Sequence, residues 1–304
     1  MHKMNTEKTK KALLVTELQR FCMHDGPGIR TTVFLKGCSL RCAWCHNPET
    51  QERGAELLYY SDRCIGCMQC VGVCPRGVHT GTDTHRIDRD KCISCFACAD
   101  VCPPRALERC GREMTAEEIL SEIERDRAFY GSTGGVTLSG GEPLLWEESV
   151  RLLSLCKEAG LHTAIETCGM VSREVLLSAL PYTDLFLWDL KDTDSARHRQ
   201  YTGAPNEPIL ENLEAINRRG ARIRLRCILV NGVNTDPSHY RRVAEIASRI
   251  ENFDGAEWIP YHAYGGSKAV FLGRSDNGNR EWIPSAESLL EARETLSAYK
   301  IRVI

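Results

Sequence analysis

The sequence predicts an α/β fold, a partial (β/α)6 TIM-like barrel interrupted by a small cysteine-rich insertion. From residue 111 onward, short apolar segments alternate with amphipathic segments, which is typical of parallel strands joined by crossover helices. Between residues 58 and 110, a block of closely spaced cysteines interrupts this alternation. About six strand–helix units can be counted, which is too few for a complete eight-fold barrel and leaves a doubly wound sheet as the alternative.

The predicted elements follow in chain order. Residues 1–11 are expected to form a mobile tail, and RTTVFLKG (30–37) is the first strand. A helix is predicted over residues 115–131, before the strand GVTLSGGEP. The remainder is predicted as helix EESVRLLSLCKEAG, strand HTAIETCG, helix SREVLLSAL, strand DLFLWDLK, a helix near 208–219, strand RIRLRCILV, a helix over 237–251, strand AEWIPYH, helix AESLLEARETLSAY and the short strand IRVI.

The composition is that of a soluble globular protein of 304 residues, with 42% hydrophobic and 26% charged residues. A formal net charge of −2 argues against broad binding to nucleic acid, so no nucleic-acid partner is expected. No apolar segment approaches the length of a membrane span and no signal-peptide pattern is present, so no membrane association is expected. The sixteen cysteines cluster at short gaps that suit metal ligation, which places the protein in a reducing cytoplasm.

The middle block contains an internal repeat, CIGCMQCVGVCPRGV and CISCFACADVCPPRAL, in which each copy reads CxxCxxCxxxCP. This is the spacing of bacterial two-cluster ferredoxins, in which the fourth cysteine of each copy crosses to the other cluster. Zinc knuckles are the alternative, and two complete copies ending in CP disfavour them. One [4Fe-4S] cluster is therefore assigned to Cys64, Cys67, Cys70 and Cys102, and another to Cys92, Cys95, Cys98 and Cys74.

The complete prediction is a partial (β/α)6 TIM-like barrel with an inserted bacterial ferredoxin-like domain. Its segments are residues 1–57 (tail, first barrel strand and a cysteine loop), 58–110 (the insert with two clusters) and 111–304 (the rest of the barrel).

The cysteine loop reads KGCSLRCAWCHNPE and contains the triplet Cys38, Cys42 and Cys45, spaced CxxxCxxC. Three ligands leave one iron of a [4Fe-4S] cluster with an exchangeable position, which is typical of a catalytic metal site. At this spacing we expect the open iron to be chelated by the amino and carboxylate groups of S-adenosylmethionine (SAM).

Polar residues follow each of the later strands. They are SGGEP (139–143), ETCG (166–169), DLK (189–191), Arg226 and PYH (260–262). Because the carboxyl ends of parallel strands share one edge of the sheet, these groups are expected to face a single binding site.

Four sequences together resemble the glycyl radical enzyme activating enzymes of the radical SAM superfamily: DGPGIRTTVFLKGCSLRCAWCHNPE, the cysteine repeat, STGGVTLSGGEPL and PYHAYGGSK. The insert resembles the larger subgroup, whose partners include arylacetate decarboxylases, C–N and C–S lyases and B12-independent dehydratases. The resemblance implies that a flavodoxin or ferredoxin reduces the triplet cluster, that SAM is cleaved to methionine and a 5′-deoxyadenosyl radical, and that this radical abstracts a Cα hydrogen from a glycine of a partner enzyme.

The resemblance also implies a set of SAM contacts. Gly140, Gly141 and Glu142 would hold the methionyl amino group, Thr167 would lie near the ribose or carboxylate, and Asp189, Lys191, Arg226 and His262 match further SAM-site positions. Cys168 stands where the family often has an asparagine, and Glu166 where an aspartate sometimes occurs, so their contacts are not transferred.

Other residues are assigned supporting roles. His46 is expected to position the cluster, and Trp44 to shield it or pack against adenine. Cys22, Cys110, Cys156 and Cys227 are expected to be small buried residues.

Two other functions remain open at this point. One is a radical SAM enzyme that modifies a small molecule or peptide, and the other is an iron–sulfur electron carrier. Four cysteines per insert cluster leave no open iron for a substrate, which disfavours the first. A carrier needs neither the triplet nor SGGEP, which disfavours the second.

Overall fold

The protein is described by a computed structural model that covers residues 12–81 and 85–304, so the predicted tail at residues 1–11 lies outside the described chain. The strands are β1 (Leu13–Cys22), β2 (Arg30–Leu35), β3 (Glu56–Tyr59), β4 (His79–Thr80), β5 (Arg86–Ile87), β6 (Leu107–Cys110), β7 (Arg112–Met114), β8 (Gly135–Gly140), β9 (His162–Thr167), β10 (Leu185–Asp189), β11 (Ile223–Leu229) and β12 (Phe253–Pro260). The helices are α1 (Gln69–Val73), α2 (Ala97–Asp100), α3 (Ala116–Glu124), α4 (Arg127–Tyr130), α5 (Glu147–Glu158), α6 (Arg173–Ala179), α7 (Ser195–Thr202), α8 (Glu207–Asn217), α9 (Pro237–Ala247), α10 (Gly265–Phe271) and α11 (Ala286–Ala298).

One sheet of eight strands organises the molecule, in the order β12-β11-β10-β9-β8-β2-β1-β7. The six strands from β12 to β2 in this order are parallel. From β8 to β12 each lies beside the next strand of the sequence, and β2 lies beside β8, the first parallel strand after the insertion. A doubly wound sheet would reverse its strand order near the middle. The steady order is therefore consistent with a partial TIM-like barrel, and all six predicted barrel strands are present.

The sheet is covered on both faces, which explains the continuous apolar runs of its strands. Every residue of β8 except the last is buried, and β10 follows the same pattern. Successive helices pack side by side, α3 on α5, α5 on α6, α6 on α8 and α9 on α11, as crossover connections require. Helix α3 begins with a capping box in which Thr115 and Glu118 satisfy each other's backbone N–H groups.

Several elements differ from the prediction. Strand β1 was not predicted; it runs antiparallel to β2 and also pairs with β7, which follows the insertion. Helices α7 and α10 were also missed, and the helix predicted over 115–131 is interrupted between α3 and α4. The predicted terminal strand IRVI makes a single parallel bridge, between Ala256 and Val303, instead of a strand.

The cysteine-rich segment lies between β2 and α3 in the chain and forms two small sheets, β3 with β6 and β4 with β5. Met68 and Phe96, which occupy the same place in the two repeats, both have left-handed backbone angles, with φ of 56° and 63°. Residues other than glycine rarely adopt this backbone conformation, so the two copies of the repeat share an unusual local backbone.

No helix in residues 12–81 and 85–304 is long and apolar enough to cross a membrane.

Candidate active site

A cavity lies at the carboxyl ends of the parallel strands. It brings together the cysteine triplet and polar groups from four strand ends. The predicted site residues in its lining are Cys38, Cys42, Cys45, Gly140, Gly141, Asp189, Lys191 and Arg226. Glu142, Thr167 and His262 are not in this lining.

The triplet lies on a loop that is held at both ends by backbone hydrogen bonds. Gly37 N donates to Thr50 O at 2.7 Å, which closes the loop on itself. Arg41 N donates to Thr202 O at 2.8 Å, which fixes the loop to the end of α7. The three thiols are therefore presented to the cavity by a loop whose backbone is hydrogen-bonded to itself and to α7.

Two of the three thiols are in environments that disfavour free thiolates. Burial raises the pKa of Cys42 to about 12 and that of Cys45 to about 11. A hydrogen bond with the Cys168 thiol lowers the pKa of Cys38, against the effect of burial. Two of the three sulfurs thus need a bound cation to ionise at neutral pH, which is the behaviour of metal-ligating cysteines.

Two glycines let the end of β8 approach the triplet loop. Gly140 has a φ of +109°, which favours glycine, and a Cβ at Gly141 would overlap the carbonyl oxygen of Gly37. Gly141 N donates to Leu35 O at 2.9 Å, and Glu142 N donates to Gly37 O at 2.7 Å. The turn after β8 and the loop after β2 therefore meet backbone to backbone, and their peptide groups form part of the cavity wall.

The side chain of Glu142 is completely buried. Its carboxylate accepts hydrogen bonds from Thr167 Oγ1 at 2.9 and 2.8 Å and from Cys168 N at 2.9 Å. Burial raises the pKa of Glu142, while the hydrogen bonds from Cys168 and Thr167 oppose that rise. Glu142 and Thr167 thus join the end of β8 to the end of β9, away from the cavity lining.

The opposite wall carries four charged groups in two ion pairs. Lys191 Nζ lies 2.8 Å from Asp189 Oδ2, and Arg226 Nη1 lies 2.6 Å from Glu166 Oε1. Burial raises the pKa of Asp189, whereas Arg226 keeps the pKa of Glu166 below its ordinary value despite burial. Such a wall offers both a cation and an anion to a ligand that carries an ammonium and a carboxylate together.

His262 does not line the cavity but contacts His46, which does. Its imidazole stacks on that of His46, with ring centroids 3.9 Å apart, and His46 is the one that lines the cavity. Burial lowers the pKa of His46 to about 3, and His262 is the next contributor to this shift. The predicted positioning role of His46 thus rests on a neutral ring held by its stacked partner.

A contact that sequence reasoning missed joins two distant motifs. Lys268 Nζ, on α10, lies 2.8 Å from Asn47 Oδ1 and 2.7 Å from Glu49 Oε1. A Cβ at Gly265 would overlap the carbonyl oxygen of Cys45, so glycine is needed where α10 crosses the loop. HNPE and GGSK, which the sequence presents as separate motifs, therefore form one contact beside the third cysteine.

Trp44 lies between Cys42 and Cys45 and is 1% exposed. Its ring packs near Tyr201 and Trp282, with centroids 5.7 and 6.4 Å away.

All sixteen cysteines are free, and the four assigned to the core are buried as predicted: Cys22, Cys110, Cys156 and Cys227.

The eight cysteines of the repeat surround two further cavities. The lining of one contains Cys64, Cys67, Cys70 and Cys102. The lining of the other contains Cys74, Cys92, Cys95 and Cys98. In each cavity, three cysteines come from one copy of the repeat and the fourth from the other copy.

Comparison with known proteins gives concordant results. Residues 32–244 match the Radical SAM superfamily. The chain is 45% identical over 273 residues to the choline trimethylamine-lyase activating enzyme of Oleidesulfovibrio alaskensis, covering 87% of this chain and 88% of that protein. It is 42% identical over 305 residues to the benzylsuccinate synthase activating enzyme of Thauera aromatica, covering 96% and 92%. Among solved structures, Streptococcus suis SuiB bound to the precursor peptide SuiA has a similar fold, with a TM-score of 0.53, 11% identity and coverage of 88% of this chain and 45% of that chain.

Proposed function

The chain belongs to the radical SAM superfamily and, within it, to the glycyl radical enzyme activating enzymes, and we propose that it places a radical on a glycine of a partner enzyme. It cleaves SAM reductively to methionine and a 5′-deoxyadenosyl radical, which abstracts a Cα hydrogen from that glycine. The protein partner is thus a glycyl radical enzyme.

One observation supports this proposal most strongly: three cysteines share a single cavity with the ion pairs at the strand ends. The donor set fits a [4Fe-4S] cluster with one open iron, because three thiols line the cavity and the raised pKa values of two of them favour ionisation beside a cation. When bound there, such a cluster supplies the electron that cleaves SAM.

The protein's own residues supply position and exclusion of water. Gly140 and Gly141 line the cavity, where their backbone groups would hold the methionyl amino group of SAM, and Asp189, Lys191 and Arg226 would provide charges for its polar ends. Glu142 and Thr167 hold the glycine turn in place through their buried hydrogen bonds. His262 acts through His46, on which it stacks.

The cysteine-rich segment is proposed to be a ferredoxin-like domain over residues 58–110, between the segments 1–57 and 111–304. Four thiols in each of two cavities suit two closed [4Fe-4S] clusters, which have no open iron and so suit electron transfer. With the triplet cluster, the protein would hold three clusters. A flavodoxin or ferredoxin of the reducing cytoplasm is the proposed electron donor.

The function is tested by mixing the reduced, reconstituted protein with SAM and candidate partners under anaerobic conditions. Choline trimethylamine-lyase and benzylsuccinate synthase are suitable candidates, since activating enzymes of both are similar to this chain. We expect a glycine-centred EPR doublet with the correct partner. Deoxyadenosine formed without a protein radical on any glycyl radical enzyme would instead indicate a small-molecule or peptide substrate.

A variant of the triplet tests where SAM is cleaved. Cys38→Ala is expected to abolish deoxyadenosine formation while the iron of the two insert clusters is retained, because only the triplet leaves an open iron. Cys22→Ala is the matched control, since Cys22 is buried outside the cavity. Deoxyadenosine production by the Cys38 variant at the wild-type rate would contradict the assignment, as would its loss in the Cys22 variant.

A further inference from the structure

Two histidines in the cysteine-rich segment lie side by side. His79 Nδ1, on β4, is 2.9 Å from His85 Nε2, just before β5. Their rings are 5.1 Å apart and inclined by 28°, and Tyr59 packs edge-on against His85 at 4.8 Å. Hydrogen bonding and packing therefore fix the orientation of both imidazoles.

Each histidine belongs to a different four-cysteine cavity. His85 lines the cavity that contains Cys64 and Cys70, with Nδ1 3.9 Å from Cys64 Sγ and Nε2 3.6 Å from Cys70 Sγ. His79 lines the other cavity, the one that contains Cys98. The hydrogen bond between the two rings is thus a direct polar connection between the cavities.

The remaining nitrogen of His79 has no hydrogen-bond partner in the described part of the chain. The residue is 3% exposed, and its buried Nε2 makes no hydrogen bond within residues 12–81 and 85–304. In the tautomer in which His79 Nδ1 accepts from His85 Nε2, His79 Nε2 carries the proton. The buried Nε2 then has an N–H group that it can donate to an acceptor in the cavity that His79 lines.

We propose that this histidine pair connects the two insert clusters, with His79 Nε2–H donating a hydrogen bond to a sulfur of the cluster held by Cys74, Cys92, Cys95 and Cys98. This inference rests on the proposed function, because it requires both clusters. Hydrogen bonds to cluster sulfurs raise the reduction potential. His79 is therefore a positioning residue that makes this cluster easier to reduce, and the paired rings provide a hydrogen-bonded route between the clusters.

A zinc ion is the competing occupant of this place. Cys70, His79 and His85 offer ligand atoms that lie within 4.8 Å of one another. However, a zinc ion bound by both rings would replace the 2.9 Å hydrogen bond between them. Cys70 is also required to complete the four-cysteine set of its cavity.

The test is an EPR-monitored redox titration of the full chain, reconstituted anaerobically, as wild type and as His79→Ala. We expect the potential of one insert cluster to fall in the variant, while the potential of the triplet cluster is unchanged. His79→Gln should restore part of the shift, because its amide retains an N–H donor. In wild-type protein labelled with ¹⁵N-histidine, pulsed EPR should detect a weak nitrogen coupling to that cluster, and this coupling should be absent in His79→Ala.

The outcomes separate this inference from the function it rests on. Thr80→Ala is the matched control, since Thr80 is the exposed neighbour of His79 on β4, and it should leave every potential unchanged. Unaltered potentials in His79→Ala, with iron for three clusters retained, would overturn the inference alone. Wild-type protein with iron for only one cluster, or with stoichiometric zinc bound by His79 and His85, would overturn both the inference and the assignment of the insert clusters. None of these three results would affect the assignment of SAM cleavage to the triplet.

Discussion

At the residue scale, Glu142 illustrates how a conspicuous residue of a motif can be held by hydrogen bonds within the protein itself. SGGEP presents a carboxylate next to two glycines, and that pattern suggests an acceptor for an ammonium group. In the fold the carboxylate instead accepts from Thr167 and from the backbone of Cys168. A buried carboxylate must find donors inside the protein, and the end of β9 supplies them before any ligand binds.

His239 gives a pH prediction at the same scale. It is completely buried, its Nδ1 lies 2.9 Å from Thr193 Oγ1, and burial lowers its pKa from the ordinary 6.5 to about 4. Between these two pH values the unfolded chain binds a proton that the native protein does not. The free energy of unfolding should therefore fall as pH falls through this window, by about 1.4 kcal/mol per pH unit from this group.

This prediction is checked by urea unfolding at pH 7 and pH 5.5 under anaerobic conditions. Other histidines have lowered pKa values too, so the comparison is between the wild type and His239→Gln. The variant should lose less stability over this interval than the wild type does. Equal losses in the two proteins would show that His239 does not contribute.

At the element scale, the close approach of two strand ends depends on Gly141. An alanine there would push the turn after β8 away from the loop after β2, because its Cβ would overlap the Gly37 carbonyl oxygen. Overpacking of this kind costs about 1–3 kcal/mol. Gly141 lines the cavity, so displacement of this turn should disturb the SAM site. Gly141→Ala should therefore weaken SAM binding by about tenfold or more, since 1.4 kcal/mol corresponds to a factor of ten.

Equilibrium binding of SAM to the reconstituted protein measures this effect. Gly54→Ala is the matched control, because a Cβ at Gly54 meets nothing within 4 Å. Unchanged affinity in Gly141→Ala, or an equal loss in Gly54→Ala, would contradict the proposed role of the glycine turn.

The elements that could be predicted from the sequence are those whose burial leaves a clear pattern. The six parallel strands are apolar runs because both of their faces are covered. Helix α7, SARHRQYT, was missed because it has almost no apolar face, and α10 because it begins with two glycines, which disfavour helices. Strand β1 alternates buried and exposed residues only in part, so its sequence does not show the regular alternation that predicts a strand.

The candidate site divides in the same way. The cysteines could be predicted because their spacing is a local property of the chain, and the same is true of strand-end residues such as Asp189 and Lys191. The contact of Lys268 with Asn47 and Glu49 could not, because residues more than two hundred positions apart are joined only by the closure of the fold. The burial of Glu142 depends in turn on how β8 and β9 pack.

At the scale of the whole molecule, the cysteine-rich segment is attached to the barrel by more than its two chain connections. Arg89 Nη1 donates to Leu57 O at 2.7 Å, and its Nη2 donates to Phe271 O, at the end of α10, at 3.0 Å. Arg274 Nη2 lies 2.6 Å from Glu56 Oε1, at the start of β3. The region around α10 thus contacts both the triplet loop and the insertion.

Removing one of these attachments should loosen the insertion without affecting the triplet. Hydrogen bonds from a charged group contribute about 1.5–3 kcal/mol, so Arg89→Met should speed amide hydrogen exchange in β3 and at the end of α10 by about tenfold or more. Deoxyadenosine formation with a chemical reductant should be retained. Arg105→Met is the control, since the Arg105 side chain is 79% exposed. Exchange in β3 that is unchanged by Arg89→Met would show that this attachment is not important for the docking of the insertion.

The contact between α10 and the triplet loop also sets an order of events during synthesis. The ribosome delivers Cys38, Cys42 and Cys45 long before it delivers Gly265 and Lys268, which later lie against that loop. Every nascent chain therefore passes through a stage in which the loop that carries the three thiols lacks its contact with α10.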